Sequence, residues 1–134
     1  MIPQTDDSLS GVWYSYHWYP TSDDKAEECS EYEVRAYRTA NEVVFASRTK
    51  DDGSYMLIRL TVDSAIATGT WYENTAPEGE FKGMMYSGAG QMLFDDSGKV
   101  LEGMWAGVGM DHAAGKPRVY SGRWELRRER RSTT

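Results

Sequence analysis

The sequence predicts an all-β fold, an eight-stranded antiparallel up-and-down meander closed into a barrel. Three observations carry this. Four of the five tryptophans stand in one frame, glycine–any–tryptophan: Gly11-Val-Trp13, Gly69-Thr-Trp71, Gly103-Met-Trp105 and Gly122-Arg-Trp124. In a strand that spacing sets a bare spot and an indole on the same face. Glycine admits a bend or a close backbone approach and the ring fills the space beside it, a combination a small barrel needs at its corners and its plugged end. Second, apolar–polar alternation runs through most of the chain, and no segment holds a helical period over three turns. Third, the breaks are short and rich in Asp and Gly, the residues of tight hairpins.

The first strand, residues 12–19, sets Trp13, Ser15, His17 and Tyr19 on one face and Tyr14, Tyr16 and Trp18 on the other. With Trp13 inside, three large aromatics form an outer stripe suited to a homodimer or partner interface. The reverse phase would turn the stripe inward and take His17 and Ser15 out of the interior. A long acidic connection follows to Cys29, carrying Asp23, Asp24, Glu27 and Glu28, with the character of a short helix or a lid over one barrel end. The second strand, 30–38, directs Tyr32, Val34 and Ala36 inward against Glu31, Glu33 and Arg35. The third spans 42–49 and ends before the turn Asp51-Asp52-Gly53.

The fourth strand, 54–62, has Met56, Ile58, Leu60 and Val62 inside, and Asp63-Ser64 turns it into the fifth, 65–75, where Trp71 and Glu73 share a face. The sixth, 81–94, aligns Met84, Tyr86, Gly88, Gly90, Met92 and Phe94. After Asp95-Asp96-Ser97-Gly98 the seventh, 99–110, lines up Gly103, Trp105, Gly107 and Gly109, leaving a groove. The eighth, 118–127, points Gly122, Trp124 and Leu126 inward and Arg123, Glu125 and Arg127 to water. Trp13 and Trp124 are expected to plug one barrel end. Met84, Met85, Met92, Met104 and Met110 read equally as a deformable pocket lining or as core filler.

At 134 residues the chain is expected to be one domain: a polar tail at 1–10, the barrel at 11–127 and a basic tail at 128–134 that is expected to be solvated. A net charge of −6 opposes binding to nucleic acid or an anionic membrane. Cys29 is the one cysteine, so no internal disulfide forms. The first ten residues have no apolar core, and a cytoplasmic protein is expected. His17 and His112 are too few for a zinc set, and neither a metal nor a cofactor is expected. A Cys29–His17 nucleophile pair has nothing further to support it, and no phosphate-binding loop is present.

Part of the chain resembles known families. Gly11-Val-Trp13-Tyr14-Ser15 is similar to the opening strand of the calycins, the lipocalin and avidin group. The stretch Gly69-Thr-Trp71-Tyr-Glu73 to Gly79, with Lys82-Gly83, Tyr86-Ser-Gly88, Gln91-Met-Leu93, Gly103 to Gly109 and Gly122-Arg-Trp124-Glu-Leu126, is more particular. It resembles the C-terminal β-rich domain of actinobacterial regulators of the XRE helix-turn-helix type. The resemblance implies a sensor or interaction domain. A helix-turn-helix is not recognisable in this chain, so DNA binding is not carried over.

On the interior phase above, His17, Glu73, Tyr32 and Tyr86 lie among tryptophans, a polar surplus that suits a pocket with aromatic walls and a few convergent polar groups. Trp71, Trp105, Tyr86 and Met84 are the candidate walls, and Glu73, His17 and Tyr32 the orienting groups for a small, partly apolar or aromatic ligand. Burial is expected to raise the pKa of Glu73, which reads as a ligand anchor, a general base, or a member of a buried network with Tyr32, Tyr86 or Arg38. Binding, rather than catalysis, is the expectation. A filled barrel that serves as an interaction module is the alternative, and a small cyclase or isomerase a further one.

Overall fold

The computed structural model describes residues 9–20, 27–75, 85–111 and 114–132. Eight strands follow in chain order: β1 (Gly11–Pro20), β2 (Glu27–Arg38), β3 (Val43–Ser47), β4 (Tyr55–Asp63), β5 (Ile66–Asn74), β6 (Met85–Phe94), β7 (Val100–Asp111) and β8 (Lys116–Arg127). Each pairs antiparallel with the next, and β8 returns to β1, so the sheet closes with no free edge. This is the predicted fold class, and no helix occurs among the described residues. β2 starts at Glu27 because Glu27 and Glu28 pair with Pro20 and Tyr19, which makes them strand and not lid. Asp23, Asp24, Met84 and His112 lie outside the described residues.

The first strand has the expected phase. Trp13 pairs with Val34 and Ser15 with Tyr32, and Trp13, Ser15 and His17 are buried. Trp13 is the floor of the barrel. Its ring meets Phe45 edge-on at 5.8 Å, its Nε1 donates to the Leu9 carbonyl at 2.9 Å, and the Arg128 guanidinium lies 4.7 Å from its ring centre. Arg128 also donates to the Val12 carbonyl at 3.2 Å, so the last strand is tied across the start of the first. Leu60, Leu101 and Leu126 are buried in the same core. Trp124 does not join this plug. It pairs with His17 and Gly103, and its Nε1 donates to the Ser15 hydroxyl at 3.0 Å, halfway up the barrel.

Each of the other three framed indoles rests against a glycine of a different strand, not the glycine of its own frame. A Cβ at Gly107 would lie 2.6 Å from Trp71, one at Gly90 2.5 Å from Trp124, and one at Gly122 2.8 Å from Trp105. The frame's own glycine has another task in β5, where a Cβ at Gly69 would run into the Arg59 carbonyl of β4. The motif therefore combines a close strand approach with a ring sent to a neighbour.

The outer face departs from expectation in one region. Tyr14, Tyr16 and Trp18 do point outward, but the chain beyond β8 folds back over them. The Arg131 amide donates to the Tyr16 hydroxyl at 2.7 Å, and Arg130, Arg131 and Arg123 place guanidiniums 5.0 Å from Tyr14, 5.4 Å from Trp18 and 4.3 Å from Trp18. Tyr16 is left only 4% exposed. Glu125, expected in water, is 5% exposed because Arg123, Arg127 and Arg131 surround its carboxylate at 3.2, 3.4 and 3.2 Å. Unpaired, that carboxylate would resist burial; three guanidiniums remove the objection. Residues 128–131 thus strap across β1, with the Arg130 and Arg131 side chains still 58% and 40% exposed, and residues 133–134 lie outside the described residues.

Candidate functional site

The floor end carries the β2–β3, β4–β5 and β6–β7 hairpins, and the β1–β2, β3–β4, β5–β6 and β7–β8 connections leave the opposite end. The polar interior residues lie toward that second end. Alternation along β1, β2 and β5 sends His17, Tyr32 and Glu73 inward, and β5 stands across the lumen from β1. Glu73 Oε2 accepts from the Tyr32 hydroxyl at 2.7 Å, and Oε1 lies 3.5 Å from His17 Nε2. Three strands are thus joined by a polar relay that crosses the barrel.

Burial pushes the Glu73 carboxyl up, as the sequence suggests. The hydrogen bond and charge of His17, the Tyr32 hydrogen bond and the Lys50 charge outweigh it and leave Glu73 below its ordinary value. The expected rise is therefore corrected. Tyr32 moves the other way: burial, the Glu73 charge and the hydrogen bond to it all raise its phenol well above the ordinary range. Lys50 sits 4.0 Å from the Tyr32 ring centre and donates to the Glu31 carbonyl at 2.7 Å. Of the network partners considered from sequence, Tyr32 is joined to Glu73. Arg38, at the far end of β2, is not near it.

Trp71 and Trp105 meet edge-to-face at 5.7 Å, and His17 meets Trp105 in the same way at 6.1 Å. The indole N–H groups are directed outward from this cluster, Trp71 to the Ala89 carbonyl at 3.2 Å and Trp105 to the Trp18 carbonyl at 2.9 Å. Tyr86 pairs with Glu73 across β5–β6 and packs partly buried on the core, as do Tyr19 and Tyr120. Trp71, Glu73, Trp105, Tyr86, His17 and Tyr32 therefore come together in space, and Met84 lies outside the described residues.

Sequence reasoning missed two participants as site residues, Met56 and Trp124. They reach the same layer as Ser15, which the strand phase had placed inside, and Met56, Trp71, Trp105, Trp124 and His17 wall a cavity of about 10 Å³. Met56 stood in the inward set of β4, so alternation carried the signal. The methionines singled out by number behave otherwise: Met92 is core, whereas Met85 and Met104 are exposed on the outer face. The larger hollow, about 330 Å³, is a surface groove beside the β2–β3 hairpin lined by Arg38, Asn41 and Thr61, and it contains no residue of the relay.

Cys29 pairs with Trp18 on the outer face and is exposed, one register position from Ser30, which pairs with His17. A Cys–His pair is excluded by that parity. Among the described residues no three His, Cys, Asp or Glu side chains gather as a metal cluster.

The fold and its crossed lumen define the class: a small closed antiparallel β-barrel of the general calycin shape, able in principle to enclose a ligand. Compared with known proteins, the chain matches no family model and no curated sequence.

Proposed function

We propose that the barrel binds a small, partly apolar molecule at the end opposite the Trp13 floor. The carrying observation is the Tyr32–Glu73–His17 relay, a largely buried, ionised carboxylate held beside an edge-to-face tryptophan pair. A core has no use for a carboxylate that an apolar side chain of similar volume would replace without cost. A binding site does, because one fixed charge and one fixed imidazole orient a ligand against flat aromatic walls. With about 10 Å³ enclosed beneath the relay, the ligand lies above Trp71 and Trp105, among Tyr19, Tyr86 and Tyr120, and not deep in the lumen.

Native mass spectrometry of the purified chain before and after denaturing desalting tests this, with tryptophan fluorescence titrated against Nile red, an uncharged apolar dye. A co-purifying small mass that leaves on denaturation, or one-to-one dye binding weakened in Glu73→Gln, supports the reading. A clean protein mass with fluorescence indifferent to the dye removes it. The small enclosed volume favours a second reading, an interaction module with a filled barrel. A stable dimer at micromolar concentration would support that one.

A further inference from the structure

The cavity below the relay has an unusual chemical inventory. Its walls are His17, Met56, Trp71, Trp105 and Trp124, and its volume of about 10 Å³ is that of a single small sphere. All three indole N–H groups are committed elsewhere, to the Ala89 carbonyl, the Trp18 carbonyl and the Ser15 hydroxyl. The imidazole of His17 turns Nε2 to Glu73, so Nδ1 is the atom it has left to offer. That nitrogen is buried with no hydrogen-bond partner among the described residues, in a side chain 9% exposed. The other heteroatom is the Met56 thioether, held by the Ser15 hydroxyl at 3.8 Å.

Such a chamber discriminates by elimination. An anion needs several donors, and with the three indole N–H groups committed elsewhere at most the single His17 ring N–H is left to it. A hard cation needs several oxygens, and the walls carry none. A water needs two to four polar partners and would find one nitrogen and a weak sulfur acceptor. What one imidazole nitrogen and one thioether do suit is a soft monovalent d10 ion, enclosed by the three indole rings.

The relay fits the same purpose. A metal-binding histidine commonly donates its second ring N–H to a carboxylate, which fixes the tautomer and makes the ligating nitrogen more basic. Here Glu73 takes Nε2, and Tyr32 holds Glu73 in turn.

The geometry points to a soft-metal site for Cu(I) or Ag(I), ligated by His17 Nδ1 and Met56 Sδ, with Glu73 and Tyr32 as positioning residues and Ser15 presenting the sulfur. The inference stands on this cavity alone and holds whether or not an organic ligand lies above it.

The test uses the full chain with Cys29→Ser, since the exposed thiol binds the same ions. Silver nitrate in chloride-free buffer is the probe, followed by native mass spectrometry, tryptophan fluorescence and ¹⁵N spectra of the histidine rings. One Ag(I) per chain is expected, with the His17 Nδ1 resonance shifted, tryptophan quenched and no competition from Zn(II). Met56→Leu, a swap of similar volume that keeps the core filled, abolishes stoichiometric binding. Glu73→Gln weakens it by about ten- to a hundredfold. Absence of one-to-one silver binding overturns the site, as does equal binding by Met56→Leu, displacement by Zn(II), or an unmoved Nδ1 resonance. The Nile red titration reports separately: silver failure with the dye still bound ends the metal site alone, and the converse ends the ligand reading alone.

Discussion

Gly107→Ala is the substitution that probes the Trp71 wall most directly. A Cβ at Gly107 stands 2.6 Å from Trp71 Cζ2 and 3.1 Å from both Trp71 Cη2 and the Ser87 carbonyl. The closest approach is about 0.8 Å short of the ordinary 3.4 Å contact. The indole cannot retreat freely, because Trp105 lies edge-on at 5.7 Å and its own Nε1 is bonded to the Ala89 carbonyl. Overpacking of this kind costs about 1–3 kcal/mol, and we expect about 2. Trp71→Phe removes the two atoms that collide, and alone it costs about 2 kcal/mol through the space left and the lost hydrogen bond. Combined, the two substitutions relieve each other, so the double variant is about 1–2 kcal/mol more stable than additivity gives. Urea unfolding of the four proteins measures the cycle, and near-ultraviolet circular dichroism reports the Trp71–Trp105 pair. A Gly107→Ala cost below about 0.5 kcal/mol, or strictly additive effects, would refute the packing argument.

Four other outcomes follow from the same geometry. Glu73 is held below its ordinary value of 4.5, so the stability it contributes is full above that pH and fades as the pH falls through its lowered folded value. Acid unfolding curves of wild type and Glu73→Gln should therefore converge below pH 4.5, and parallel curves would contradict the relay. Tyr32 has the opposite sign: its raised phenol costs stability as the pH climbs above 10.0, an alkaline loss that Tyr32→Phe should abolish in the same unfolding assay. Ser15→Ala leaves the buried Trp124 N–H without its acceptor and should cost about 1–3 kcal/mol in urea unfolding. Deleting residues 129–134 takes the Arg131 amide from Tyr16 and one guanidinium from Glu125. Sedimentation velocity should then show stronger concentration-dependent association than the full chain shows; an unchanged distribution would show the stripe has no affinity for itself.

Much of the fold is legible in the sequence because strand parity is a local property. Alternation set the inward residues of β1, β2, β4 and β8, and Asp–Gly turns marked where hairpins close. His17, Tyr32, Glu73, Trp71 and Trp105 were therefore placed inside by reading one strand at a time. Which of them meet depends on closure. Only the barrel brings β5 across from β1, so that Glu73 reaches His17 and Tyr32 and its carboxyl falls where burial by itself would have raised it. Pairing along the sheet likewise sends Trp71, Trp124 and Trp105 to glycines two strands or one strand away, and closure sets Met56 on the same cavity as His17, 39 residues earlier in the chain. The strap was illegible for a related reason. Arginines beyond β8 look solvated in one dimension, and the aromatic stripe that captures them belongs to β1, their neighbour only once the sheet has closed. The sequence by itself determined the fold class and which face of each strand turns inward, since those depend on period and turn chemistry. The tertiary structure decided which inward residues touch, which charges are ionised and what covers the outside, since those depend on distances between strands far apart in the chain.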